Sequence, residues 1–83
     1  MKEYTTETLR RILSDQFSVT IADVQPDKRI REDLGADSLD FLDAIIRIED
    51  EFNLHISDYE ADGIVTFQHL VDLVEKKLSI SLD

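Results

Sequence analysis

Cysteine is absent from this chain of 83 residues, which excludes a disulfide framework, a thiolate metal site and a cysteine nucleophile. Glycine occurs twice and proline once, too little turn chemistry for an all-β fold built on many tight turns. No apolar run approaches the roughly 20 residues that cross a bilayer. The first five residues lack the apolar stretch of a secretory signal. Bases are outnumbered nine to nineteen, and the net charge of −10 argues against nucleic acid as a partner. What is present is 42% apolar residue, enough to rule out a wholly disordered chain. One small domain over residues 1–83, cytoplasmic and monomeric, is the expectation.

The charge is unevenly placed. Residues 1–31 carry six bases and five acids, and residues 63–83 carry two bases and three acids. Residues 32–62 carry eleven acids and one base, Arg47. Solubility alone does not require this concentration, so the middle third reads as a docking surface for basic partners.

Leu9, Ile12, Leu13 and Phe17 recur at helical spacing and predict a first helix of about three turns. The pattern then breaks over 18–37, a long connection with Pro26, Gly35 and apolar anchors at Val19, Ile21, Val24, Ile30 and Leu34. Asp37 is suited to cap a second helix over 38–52, which contains neither glycine nor proline. Ser57 and Glu60 form a capping-box pattern opening a short helix that Gly63 ends. Thr66 precedes a last helix striped by Phe67, Leu70, Val71, Val74 and Leu78, with Lys76 and Lys77 in its final turn and a frayed tail from Ser79. The predicted fold is all-α: a small bundle of three main helices plus one short helix, with a long loop between the first two.

Helix 38–52 carries two apolar stripes. At 100° per residue, Phe41, Ile45, Ile48 and Phe52 share a face within roughly 60° and point to the core. Leu39, Leu42 and Ile46 cluster roughly 120° away. One small core does not bury both stripes. The second, with Asp43, Arg47, Glu49 and Asp50 around it, has the composition of a transient docking site: apolar contact for affinity and charge for steering.

Ser38 opens that helix within Leu34-Gly35-Ala36-Asp37-Ser38-Leu39-Asp40. It lacks the G-x-S-x-G elbow of a nucleophile, and His55 and His69 are not spaced for a triad. His55 is expected half-buried or exposed, and His69 on the polar side of the last helix. No enzyme activity is read from these residues. The motif, reinforced by Glu32-Asp33 upstream and Glu49-Asp50-Glu51-Phe52 downstream, resembles the acyl carrier proteins of the dissociated bacterial type over nearly the whole chain. The resemblance implies a 4′-phosphopantetheine arm, derived from coenzyme A, attached at Ser38 with Asp37 and Leu39 beside it. It implies acyl groups held as thioesters on that arm for fatty-acid or related lipid or polyketide synthesis. Implied partners are a phosphopantetheinyl transferase and acyl-transferring and elongating enzymes with basic docking patches. The helix N-terminus suits a phosphodiester anion, which Asp37 and Asp40 partly oppose.

The chain departs from the family's usual pattern at Phe41, which is bulkier, at Ala44, which is smaller, and at Leu42-Asp43, Arg47 and Ser57. Room left by Ala44, with Phe41 near the entrance, predicts a shifted cavity for a loaded chain between the core face of helix 38–52 and its neighbours. Two other readings compete. An aminoacyl or peptidyl carrier shares fold and arm but has a different approach to the serine. An acidic calcium-binding module is suggested by Asp58, Glu60, Asp62 and Gly63, but its twelfth position is His69 where a bidentate Glu belongs. No specific metal site is expected; the clustered acids offer only weak ligation to divalent ions.

Overall fold

The computed structural model describes the backbone of residues 2–81 and the side chains of residues 3–79. Helix α1 is Lys2–Phe17, α2 is Ser38–Phe52, α3 is Asp58–Asp62 and α4 is Phe67–Ser81. Among the described residues no β-strand forms, only an isolated bridge between Arg29 and Thr66. The fold is the expected bundle of three main helices and one short one. Helix α1 starts well before its apolar stripe, because Thr5 is buried one turn ahead of Leu9 and extends the packed face. It packs against both α2 and α4. Helix α4 also outlasts its stripe. Lys76 and Lys77 therefore lie a turn before its end rather than in the last turn, and Ser79 to Ser81 are helical, not frayed. The remainder of the expected frayed tail, Leu82 and Asp83, lies outside the described residues.

The core takes Leu9, Ile12 and Leu13 from α1, Phe41, Ala44, Ile45 and Ile48 from α2, and Phe67, Leu70, Val71 and Val74 from α4. Phe17, Phe52 and Leu78, at the ends of their stripes, are only partly buried. The loop over 18–37 supplies Val24, Ile30 and Leu34, all buried, and packs Val19 against them. Ile21 is not an anchor: it is exposed within a 3₁₀ turn, Ile21–Asp23, closed by a capping box between Thr20 and Asp23.

Backbone bonds, as well as its side chains, hold this long loop. The Ile30 N–H donates to Val65 O at 2.9 Å, Phe67 N–H to Lys28 O at 2.9 Å and Gln68 N–H to Pro26 O at 3.0 Å. The loop is thus laced to the start of α4. Arg10 of α1 donates to Val24 O at 2.8 Å from the other side. Within the loop, Asp33 accepts from the Arg29 N–H at 2.8 Å and from its guanidinium. These bonds hold the Asp33 carboxyl below its ordinary range. Gly35, at φ +75°, makes the left-handed step that a side chain at Cβ disfavours and that delivers the chain to α2.

Each later helix begins on a side-chain cap. Asp37 accepts from the Asp40 N–H at 2.8 Å, and Asn53 closes α2 in the left-handed region. Ser57 and Glu60 complete the expected box around α3. The Ser57 N–H, and then the Lys77 ammonium at 2.9 Å, hold the Glu60 carboxyl down at about 2. Thr66 accepts from the His69 N–H, and His69 Nδ1 accepts from the N–H groups of Val65 and Thr66, each at 3.2 Å. His69 thus plays the part that Glu plays in a capping box.

Candidate functional site

Ser38 is the first residue of α2 and is exposed. Its place follows from Gly35 turning the loop, from Leu34 and Ala36 burying themselves just ahead, and from Asp37 taking the cap. With the capping role filled by Asp37, the Ser38 hydroxyl has no structural duty. Among the described residues, the first-turn N–H groups of Ser38 and Leu39 find no acceptor, so the turn keeps free donors beside an exposed hydroxyl.

Ser38 stands on a groove of about 380 Å³ between α2, the loop at 55–56 and α3. Phe41, Ile45, Ile56 and Ala61 line its inner part, and Leu42 and Ile46 its outer α2 edge. Arg31, Glu49, His55, Asp58 and Asp62 add polar groups. The guanidinium of Arg31 lies 4.6 Å from the centroid of the Phe41 ring. Ala44 is not among the lining residues; it is buried in the core on a neighbouring face of α2. The groove at Ser38 thus opens toward α3, on the other side of Phe41 and Ile45 from Ala44's place in the core.

Leu39, Leu42 and Ile46 stand 72%, 51% and 47% exposed, so the second stripe is left outside the core as the 120° offset required. Asp43 and Asp50 are exposed beside it. Two residues expected on that surface are engaged elsewhere. Arg47 reaches across to α1, donating to Asp15 at 2.9 Å and Gln16 at 3.2 Å. Glu49 accepts from the Ile56 N–H at 2.7 Å and meets His55 Nδ1 at 3.2 Å, pinning the connection from α2 to α3. Arg47 spacing along α2 gives no sign of a partner 32 residues earlier. Asp58, Glu60 and Asp62 fall within helix α3 instead of a calcium loop, and Glu60 is committed to Ser57 and Lys77. Among the described residues no group of three or more His, Asp or Glu side chains could hold a metal ion.

Sequence reasoning missed three contributors. In the sequence Arg31 is only the last base before the acidic third, and nothing in its spacing announces Phe41. Glu49 has the sequence signature of a rim charge, and nothing local points to the Ile56 N–H. His69 did carry a signal, since Thr66-x-x-His69 has the spacing of a capping box with an acceptor at its third residue.

An exposed serine on a helix N-terminus, beside an apolar groove and above an acid-rimmed apolar strip, suits a tethered anion and an apolar cargo. Comparison with known proteins agrees. Residues 7–74 match the family model described as a phosphopantetheine attachment site. The chain is 42% identical over 71 residues to the acyl carrier protein of Solidesulfovibrio magneticus, covering 86% of this chain and 91% of that protein. It superposes on a solved structure of the acyl carrier protein from Enterococcus faecalis with a TM-score of 0.80 at 30% identity, over 93% of this chain and 98% of that one.

Proposed function

This chain belongs to the phosphopantetheine attachment-site family, among the acyl carrier proteins, and from that membership we propose that Ser38 carries the arm. The protein is an acyl carrier homologue, and 4′-phosphopantetheine is its covalent cofactor. When bound, the arm supplies a terminal thiol that holds an acyl group as a thioester, chemistry that a chain without cysteine does not have itself. Ser38 is favoured as its point of attachment by one observation above all: it is the exposed serine that opens α2 on the apolar groove while Asp37 does the capping.

The chain's own residues divide the remaining work. Asp37 fixes the first turn, and Leu39 begins the exposed stripe beside the attachment point. The groove between α2 and α3 receives apolar cargo, which gains roughly 0.8 kcal/mol for each methylene removed from water. The protein carries and presents, while partner enzymes of acyl synthesis do the catalysis, in the cytoplasm and on a single domain. None of its described helices is long and apolar enough to cross a membrane. Fatty-acid or related lipid or polyketide synthesis is the process served. Intact-mass measurement of the protein from its native host tests the reading: a mass above that of the polypeptide by the arm, with a further acyl increment, supports it, and the bare polypeptide mass sinks it.

Docking is assigned to Leu39, Leu42 and Ile46 with Asp43 and Asp50, on the strength of their exposure and common face. Leu42→Ala is expected to speed dissociation from a cognate transferase on the order of tenfold, the effect of losing about 1.4 kcal/mol of buried contact. Asp43→Lys with Asp50→Lys is expected to lower the association rate and flatten its dependence on salt. Stopped-flow binding reads both, and unchanged rates in both variants would place the docking surface elsewhere.

A further inference from the structure

Arg31 stands at the edge of the acidic third of the chain. The middle third beginning at the next residue holds eleven acids, yet among the described residues Arg31 has no carboxylate within ion-pair distance. Arg10 and Arg47 each have one and Arg29 has two, while Arg11, on the exposed side of α1, has none among the described residues, like Arg31. The guanidinium of Arg31 rests instead on the Phe41 ring, 4.6 Å from its centroid. Phe41 is only 5% exposed, so the ring is a fixed platform. A cation–π contact of this kind engages no N–H donor in a hydrogen bond to an acceptor atom, and a guanidinium carries five of them.

Its position narrows what that partner is. Phe41 lies three residues after Ser38 on α2, so the two side chains share a helix face about one turn apart. Arg31 and Ser38 line the same groove, and Arg31 is its one arginine or lysine. The other ionisable groups facing that space are Glu49, Asp58 and Asp62, with His55, and Asp37 and Asp40 flank the serine along the chain. An anion tethered to Ser38 therefore enters a neighbourhood of carboxylates in which a single guanidinium rests on an aromatic ring and is unclaimed by an acid.

We propose that Arg31, held on the Phe41 ring, is the positioning residue for the phosphodiester that joins the arm to Ser38. The inference rests on Ser38 being the attachment site. The guanidinium donates in-plane N–H bonds to the phosphodiester oxygens, offsets repulsion from the surrounding carboxylates and sets the direction in which the arm leaves the helix, along the groove.

The experiment compares wild type, Arg31→Gln and Arg31→Lys, each as apo-protein and after treatment with a phosphopantetheinyl transferase and coenzyme A, with attachment confirmed by intact mass. Three readouts are taken: the Arg31 Nε–H resonance, the phosphorus resonance of the phosphodiester, and the melting temperature of each form. Attachment is expected to shift the Arg31 Nε–H resonance. Arg31→Gln is expected to move the phosphorus resonance and to lower the holo melting temperature by a few degrees relative to the apo form. Arg31→Lys, which keeps the charge without the planar fork, is expected to restore the stability difference in part. An Nε–H resonance unmoved by attachment, or equal destabilisation of apo and holo Arg31→Gln, overturns the proposal and leaves Ser38 as the attachment site. A wild-type protein that gains no arm overturns the Ser38 reading and this proposal with it.

Discussion

Ser38→Ala is expected to end attachment of the arm entirely while the helical bundle stays folded. The hydroxyl is exposed, and the cap of α2 belongs to Asp37, whose carboxylate takes the Asp40 N–H at 2.8 Å. Alanine is at least as good a helix former as serine at the first helical position. An exposed substitution of this kind changes stability by no more than about 0.5 kcal/mol. The other described serines in and around the loops are differently placed. The hydroxyl of Ser14 is bonded to Val19 O, and that of Ser57 caps α3. Ser18 follows α1 in the left-handed region, away from the groove lining. Wild type and variant are incubated with a transferase and coenzyme A and weighed intact, with helicity followed by circular dichroism. A variant that still gains the arm refutes the assignment of Ser38, and one that unfolds refutes the claim that Asp37 suffices as the cap.

The largest effect on stability is expected at Phe67. This ring is fully buried at the start of α4, and Arg10 lies over it at 5.5 Å. Its backbone N–H holds Lys28 O, so it is also where the long loop is fastened to the bundle. Phe67→Ala removes a large side chain from a core that encloses it on all sides, at a cost of about 3–5 kcal/mol. Small domains have only about 5–15 kcal/mol in total. At about 4–8 °C for each kcal/mol in a domain of this size, the melting temperature falls by about 12–40 °C. Thermal unfolding followed by circular dichroism measures it, and a fall below about 5 °C would show that neighbouring side chains collapse into the space. Phe67 does not line the groove at Ser38, so the variant is expected to accept the arm at low temperature, where it remains folded. Loss of attachment in the folded variant would show that core packing at Phe67, and not only local sequence, presents the serine.

Helix α2 was the most legible element. Its capping residue, its uninterrupted run and both apolar stripes are local properties, set by hydrogen-bonding chemistry at one residue and by the 3.6-residue repeat. The exposed stripe was legible for the same reason: a geometry of 100° per residue separates Leu39, Leu42 and Ile46 from Phe41, Ile45 and Ile48 before any partner helix is known. The box at Ser57 and Glu60 was equally local. The proposal of Ser38 as the attachment point comes by a different route, through resemblance of the motif around it. Read as an isolated serine at a helix start, it carried no chemistry.

Local sequence thus decides the number of α-helices, where α2 and α3 begin, the two faces of α2 and the exposed serine at its head, since each depends on residues within one or two turns of one another. Tertiary structure alone decided which polar groups meet across the loops. The pairing of Arg47 with Asp15, the hold of Glu49 on the Ile56 N–H, the lacing of the 18–37 loop to α4 and the stacking of Arg31 on Phe41 join residues 7 to more than 30 positions apart. It also decided that the groove at Ser38 opens toward α3. Periodicity reports the direction of a side chain from its own helix axis, whereas a contact between elements also depends on how the elements are placed. That placement is set by the shape of the whole packed core, and no local repeat encodes it.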